Sequence, residues 1–238
     1  MKLYFKLDHV AGLRTAGGGR EPDPAIAAAL AELEGVDGLT IHLHADRAAV
    51  LPRDIQVLKE TLTAPLNLEL APTGKNREFA FDQRPHMVTL VQEPKDVRAD
   101  RAPLEETDRD QATVFLSALK DAGIRGAAFI RPTIDAVRWS NRLQAEIIVL
   151  DSSAYTAIRN DRDQREHLSR LADAAKLAAK LGMEVHAAGG IDYRNVSALA
   201  ALPIAAVHVG HGLTARALLV GIGQAVRDFL RLVEKVRS

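Results

Sequence analysis

Two periods of apolar residues run through this chain from end to end. Short, nearly continuous apolar runs are bounded by Gly, Pro or Asp, and between them lie segments whose apolar residues repeat at helical spacing. The runs predict strands at 3–7, 38–43, 66–70, 87–91, 126–130, 146–150, 184–188 and 205–209. The periodic segments predict helices at 25–34, 51–62, 75–82, 108–122, 135–142, 162–181, 194–201 and 214–236. Local punctuation agrees. Asp23 stands where it caps a helix with Pro24 at its first position, and Gly35, Gly123 and Gly182 follow helix ends. Asp8-His9 follow the first strand, and a loop rich in glycine (Gly17-Gly18-Gly19) is expected to lead to Pro22-Asp23-Pro24, with no helix before Asp23. The charged stretch 92–106, with two prolines, is expected to be a mobile functional loop or lid.

Strands that are apolar nearly throughout are buried on both faces, which means a parallel sheet covered by helices. Eight strand–helix units in 238 residues, joined by short connections and without a shift in composition, predict one (β/α)8 TIM barrel domain over 1–238. A doubly wound open sheet is the alternative, but no G-x-G-x-x-G follows the first strand.

A barrel of this kind collects its chemistry at the C-terminal ends of its strands. The richest such end is Gly38–Arg47, G-L-T-I-H-L-H-A-D-R, where His42 and His44 share strand parity and Asp46-Arg47 follow. Lys6, Asp8 and His9 stand at the end of the first strand, Asn67 and Glu69 on the third, and Asp151-Ser152-Ser153 at the sixth. A carboxylate held in an apolar barrel mouth tends to have its pKa raised, so Glu69 reads as a general base, with a structural salt bridge as the alternative. Lys6 reads as paired to Asp8 or Glu69, or as an imine-forming amine. Gly189-Gly190 and Gly210-His211-Gly212 let backbone N–H groups approach an anion, and the helix starts after them add positive dipole ends. This predicts a phosphate site. Glycines that only make tight turns are the alternative. His42 and His44 with Asp46 or Glu69 lack the spacing of a specific metal signature, and no metal is expected.

Composition narrows the function. Lys+Arg and Asp+Glu balance at 31 each, and aromatic content is 4%, so neither a field nor a stacking surface for nucleic acid is present. Hydrophobic content of 47% suffices for a full core, and the absence of cysteine excludes disulfides, thiolate metal sites and cysteine nucleophiles. No apolar run approaches the ~20 residues of a membrane span, and Met1-Lys2-Leu3 opens into a strand rather than a signal peptide. A cytoplasmic protein without membrane or nucleic-acid partners is expected.

The motifs L-D-H-V-A-G-L-R (7–14), P-D-P (22–24), the 38–47 stretch, L-N-L-E-L-A (66–71) and V-G-H-G-L (209–213), in this order and spacing, resemble the pyridoxine 5′-phosphate synthase family over nearly the whole chain. The resemblance implies a (β/α)8 barrel assembled as an octamer. It implies condensation of 1-deoxy-D-xylulose 5-phosphate with 3-amino-2-oxopropyl phosphate, with no organic cofactor. It further implies that His42 is the proton acceptor, Glu69 the catalytic glutamate, Asp8 and His9 a substrate-contacting pair, and Gly190, Gly210 and His211 a phosphate cradle. The chain departs from the family pattern at Lys6 (Asn in the family), Gly17 (Arg), His44 (Arg, directed at phosphate), Val149 (Glu) and Gly189 (a proton-donating His). Three readings follow: a divergent synthase, a paralogous lyase or synthase with an altered phosphorylated substrate, and a non-catalytic binder of phosphorylated ligands.

Overall fold

A computed structural model describes residues 1–44, 49–93, 101–158 and 160–234. Eight parallel strands, β1 (Lys2–Lys6), β2 (Gly38–His42), β3 (Leu66–Leu70), β4 (Met87–Leu90), β5 (Arg125–Ile130), β6 (Ile147–Asp151), β7 (Glu184–Ala188) and β8 (Ala206–Val209), pair in sequence order and close as β8 returns to β1. Around them run α1 (Asp8–Ala16), α2 (Pro24–Leu33), α3 (Pro52–Thr61), α4 (Gly74–Gln83), α5 (Arg109–Asp121), α6 (Ile134–Arg142), α7 (Ser153–Ala157), α8 (Asp161–Lys180), α9 (Val196–Ala200), α10 (His211–Val220) and α11 (Ile222–Glu234). The fold is the predicted (β/α)8 barrel.

Strand parity divides the burial. Phe5, Leu39, Ile41, Leu68 and Leu70 point outward into the layer between strands and helices, where the main core lies. A smaller apolar cluster that includes Tyr4, Met87, Phe129, Ile147 and Val149 fills part of the barrel interior. The remaining interior is polar: Lys6, Thr40, His42, Asn67, Glu69, Thr89, His186 and His208 are all buried.

Several local expectations are corrected. Residues 8–16 form α1 rather than loop, because Val10 and Ala11 are buried and Arg14 makes a two-pronged ion pair with Asp54 (2.7 and 2.6 Å) that ties α1 to α3. Asp8 and His9 therefore sit on a helix's first turn. The predicted terminal helix is two helices, α10 and α11, separated at Gly221, whose φ of +81° glycine adopts freely. Its predicted last residues, 235–236, lie outside the described residues. The short α7 was not expected, and α9 is shorter than the predicted helix. In the expected lid, residues 94–100 lie outside the described residues. Its flanks are anchored: Gln92 and Ala102 bond each other's backbones in an antiparallel bridge, and Leu104 N–H donates to Phe129 O (2.8 Å).

Five of these interior polar groups, together with Glu184, form one directed chain. Thr89 Oγ1 donates to Asn67 Oδ1 (2.9 Å), and Asn67 Nδ2 donates to Thr40 Oγ1 (3.3 Å). Thr40 Oγ1 lies 2.8 Å from His208 Nδ1, His208 Nε2 lies 3.0 Å from His186 Nδ1, and His186 Nε2 lies 2.7 Å from Glu184 Oε1. One assignment satisfies every member: Thr40 donates to His208, each imidazole carries its proton on Nε2, and the ionised Glu184 accepts the last one. Burial pushes both histidines below their ordinary pKa, His208 strongly, so both are neutral. The hydrogen bond from His186 holds the Glu184 carboxyl down at about 2.

The consequence for stability has a definite sign. Two imidazoles buried neutral bind protons more readily in the unfolded chain, so stability is lost as pH falls below the unfolded histidine value of about 6.5. Glu184, depressed in the fold, adds a further loss as pH falls from the ordinary carboxylate range toward about 2. Thermal melts should therefore show Tm falling steadily from pH 7 to 5. A His186→Phe/His208→Phe double variant should have a flatter profile, whereas an unchanged slope would locate the titration elsewhere.

Candidate active site

The C-terminal mouth is built around Glu69, the fourth residue of β3 and only 1% exposed. Lys6 ends β1 and reaches it, with Nζ donating to Glu69 Oε2 at 2.5 Å; the same ammonium is 3.7 Å from Asp8 Oδ2. Arg101 arrives from the far side, its Nε 3.3 Å from Glu69 Oε1 and its guanidinium 4.5 Å above the Phe129 ring. His42 is the neighbour of Glu69 in the β2–β3 register, and its backbone N–H donates to Asp8 Oδ1 (2.8 Å). Burial is therefore not the only influence on Glu69. Lys6 and Arg101 both lie against the carboxylate, so the salt-bridge alternative is present beside the base reading. Lys6 takes the paired alternative, and an ammonium held between two carboxylates is a poor imine-forming amine.

His44 lies just beyond β2. Its ring centroid is 4.0 Å from that of His42, and its Nδ1 is 3.8 Å from Glu93 Oε2. Asp46 and Arg47 lie outside the described residues.

The glycine loops pack as a unit. Gly190 has φ +65°, a conformation L side chains rarely adopt, and a Cβ there would run into Thr156 Oγ1. A Cβ on Gly212 would lie 2.6 Å from Ile191 O, so the start of α10 sits against the loop after β7. His9 lies over Gly210, where an added Cβ would meet its Nδ1 at 2.7 Å, and the His9 and His211 rings are 5.5 Å apart. One part of the anion argument is corrected. Gly190 is followed by turns and then the five-residue α9, too short and too far along the chain to aim a dipole at the loop. Of the helices that follow the two glycine loops, the ten-residue α10, which begins directly at His211, is the one whose N-terminus opens at the mouth.

At Gly189 the room for a side chain is taken. A Cβ would collide with Ser153 Oγ and come within 2.8 Å of Asp151 Oδ1, while Ser152 Oγ and Thr156 Oγ1 donate to Gly189 O at 2.7 and 3.1 Å. His186 does not substitute, because it is sequestered in the interior chain with His208 and Glu184. Val149 faces the barrel interior among apolar neighbours.

Residues 3–235 match the family described as Pyridoxal phosphate biosynthesis protein PdxJ. The chain belongs to the PdxJ family. Its relatives include proteins named pyridoxine 5′-phosphate synthase from Geobacter metallireducens, 37% identical over 235 residues, and from Pelobacter propionicus, 39% identical over 235 residues. Each match covers 98% of this chain and 98% of the relative. Among solved structures, this PdxJ-family barrel superposes on KGPDC from Streptococcus mutans with a TM-score of 0.67 at 14% identity, covering 100% of this chain and 99% of that one. Phosphoribosyl anthranilate isomerase from Thermus thermophilus gives 0.63 at 16% identity, with 100% of both chains covered. At such identities the likeness concerns the barrel alone.

Within this PdxJ-family mouth, Lys6, Asp8, His42 and Glu69 come together through direct contacts or strand register, and His9, Gly210 and His211 form a second group beside Lys6. Sequence reasoning missed Arg101, whose loop carries no periodic signal. It also missed His208, although A-V-H-V places that residue on the inward parity of β8. Replacing Gly210 by Ala should push His9 off the loop. Calorimetric titration with inorganic phosphate should then show binding weakened about tenfold, equivalent to ~1.4 kcal/mol, with Tm retained. Unchanged affinity would make these glycines turn formers only.

Proposed function

We propose that this barrel is a pyridoxine 5′-phosphate synthase of vitamin B6 biosynthesis, joining 1-deoxy-D-xylulose 5-phosphate to 3-amino-2-oxopropyl phosphate with loss of phosphate and water. The observation that carries this reading is the buried His42–Glu69 neighbour pair at the mouth of a PdxJ-family barrel, braced by Lys6, Asp8 and Arg101. In this assignment His42 accepts the proton and Glu69, paired with Lys6 and Arg101, orients or relays it. Lys6 is an electrostatic partner that keeps Glu69 in place. Asp8, His9 and His44 contact the substrates, and Gly190, Gly210 and His211 with the start of α10 hold a phosphate. The chemistry needs no organic cofactor. Charged phosphorylated substrates do not cross lipid unaided and stay in the compartment where they are made, which supports a cytoplasmic reaction. No helix among the described residues is long and apolar enough to cross a membrane.

A second reading is favoured by one feature. Ser153 and Asp151 fill the space beside Gly189, where the family resemblance implies a proton-donating histidine. The same barrel with an altered phosphorylated substrate would keep the His42–Glu69 pair and the α10 phosphate site while dispensing with that donor.

Incubating the purified protein with both substrates should give pyridoxine 5′-phosphate, detected by mass and fluorescence. His42→Ala should lower kcat by roughly 10²–10⁴. Absence of product at high enzyme concentration, with phosphate binding retained, would select the second reading.

A homo-oligomer, octameric by family resemblance, belongs to the same proposal. Its support is a set of exposed apolar residues on neighbouring helices: Leu13 on α1, Ile26, Leu30 and Leu33 on α2, and Leu218 and Leu219 on α10. Apolar surface of this kind commonly marks an association face. Light scattering should give a mass well above the 25.8 kDa chain, and Leu219→Glu should reduce it. A monomeric wild type would remove the assembly from the proposal.

A further inference from the structure

At the end of β2 two imidazoles and a carboxylate converge. His42 is buried on the strand, His44 follows two residues later, and Glu93 comes from the loop after β4. The His42 and His44 rings are 4.0 Å apart between centroids and inclined by 45°. One donor atom from each of the three residues lies within 4.8 Å of the others. His44 and Glu93 are partly exposed, with side chains 29% and 35% accessible, so the group is closed on the barrel side and open toward the mouth.

We propose that His42, His44 and Glu93 bind one divalent transition-metal ion, with zinc the best fit, and leave at least one coordination position open. Two imidazole nitrogens and one carboxylate oxygen form a donor set for a borderline ion. Magnesium and calcium call for oxygen ligands in greater number. Zinc–nitrogen and zinc–oxygen bonds of about 2.0–2.2 Å place tetrahedral donors ~3.4 Å apart, so no pair here, all within 4.8 Å, needs to draw in by more than about 1.4 Å. His42 is fixed by the strand, while His44 and Glu93 sit on loops with half-open side chains that can rotate inward. The nearby cations are themselves paired, Lys6 with Glu69 and Asp8, and Arg101 with Glu69. Three protein ligands leave a fourth position for water or a phosphoryl or carbonyl oxygen, the arrangement of catalytic rather than structural zinc sites.

The site has a consequence that rests on the assignment of His42 as proton acceptor. An imidazole nitrogen that holds a metal has no lone pair left for a proton, so metal binding and free-base action at that nitrogen exclude each other. Loading with zinc should then suppress the ring-forming activity, and chelation should restore it.

The test uses the full chain, stripped with a chelator and titrated with Zn²⁺ by calorimetry and with Co²⁺ by visible absorption. The expected result is one ion per chain and cobalt ligand-field bands typical of a low-coordinate nitrogen–oxygen site. Loss even of an outer-shell partner costs 10–100-fold in metal affinity, so His44→Ala and Glu93→Gln, each removing a direct ligand, should weaken binding by more than roughly 100-fold. His167→Ala on α8, a remote histidine, should leave it unchanged. Both ligand variants alter partly exposed side chains, and circular dichroism checks that they fold. No saturable binding, or binding equally strong in both ligand variants, overturns the site. Metal binding without suppression of activity leaves the site standing and instead removes His42 from the role of free base.

Discussion

A carboxylate inside the barrel is the constraint from which the mouth is built. Glu69 is almost fully buried in a strand whose other residues are mostly apolar, and an isolated charge there would cost many kcal/mol of lost hydration. Lys6 and Arg101 remove that cost from opposite sides, one from the strand that begins the barrel and one from the loop after β4. Lys6 also draws on Asp8, and Asp8 in turn fixes the backbone at His42. The position of the candidate base is thus tied to the neutralisation of Glu69. A change at any one of these five residues would be felt at the others.

Beneath the mouth the barrel solves a second polar problem differently. Instead of pairing charges, it threads neutral donors and acceptors from Thr89 through Asn67, Thr40, His208 and His186 to one carboxylate at its lower rim, Glu184. Every link points the same way, so each group can be satisfied without a buried net charge. The arrangement explains why His186, though it points inward, is unavailable to the chemistry above. Both of its nitrogens are engaged, and burial keeps it neutral.

The loops after β7 and β8 depend on glycine for a steric reason. Three side chains occupy the space in which Cβ atoms would stand: Thr156 against Gly190, Ser153 against Gly189, and His9 against Gly210. Polar groups of α1 and α7 thereby reach the backbone at the mouth. Gly189 itself holds a φ of +112°, which L side chains rarely adopt, so the departure from the family pattern extends to the backbone there and to Ser153 and Asp151 beside it.

Much of this was legible in the chain itself. The alternation of apolar runs and helical periods specified eight strand–helix units, because burial of a parallel sheet on both faces demands that pattern. Parity placed Lys6, His42 and Glu69 on the inside, and strand-end position put them at one face. The helix over 8–16 was hidden by Gly12 and the glycines at 17–19, which lower local propensity; burial of Val10 and the Arg14–Asp54 pair decide it. What only the closed barrel decided were contacts between residues far apart in sequence. Thr40 meets His208 across 168 positions, Arg101 meets Glu69, and Glu93 meets His44. No local period encodes such pairs, since they exist only once β8 has closed on β1 and Glu93 and Arg101 have reached the rim. The sequence alone therefore determined the scaffold and the inward-facing residues. The charge balance around Glu69, and the donor set formed by His42, His44 and Glu93, were set by tertiary closure.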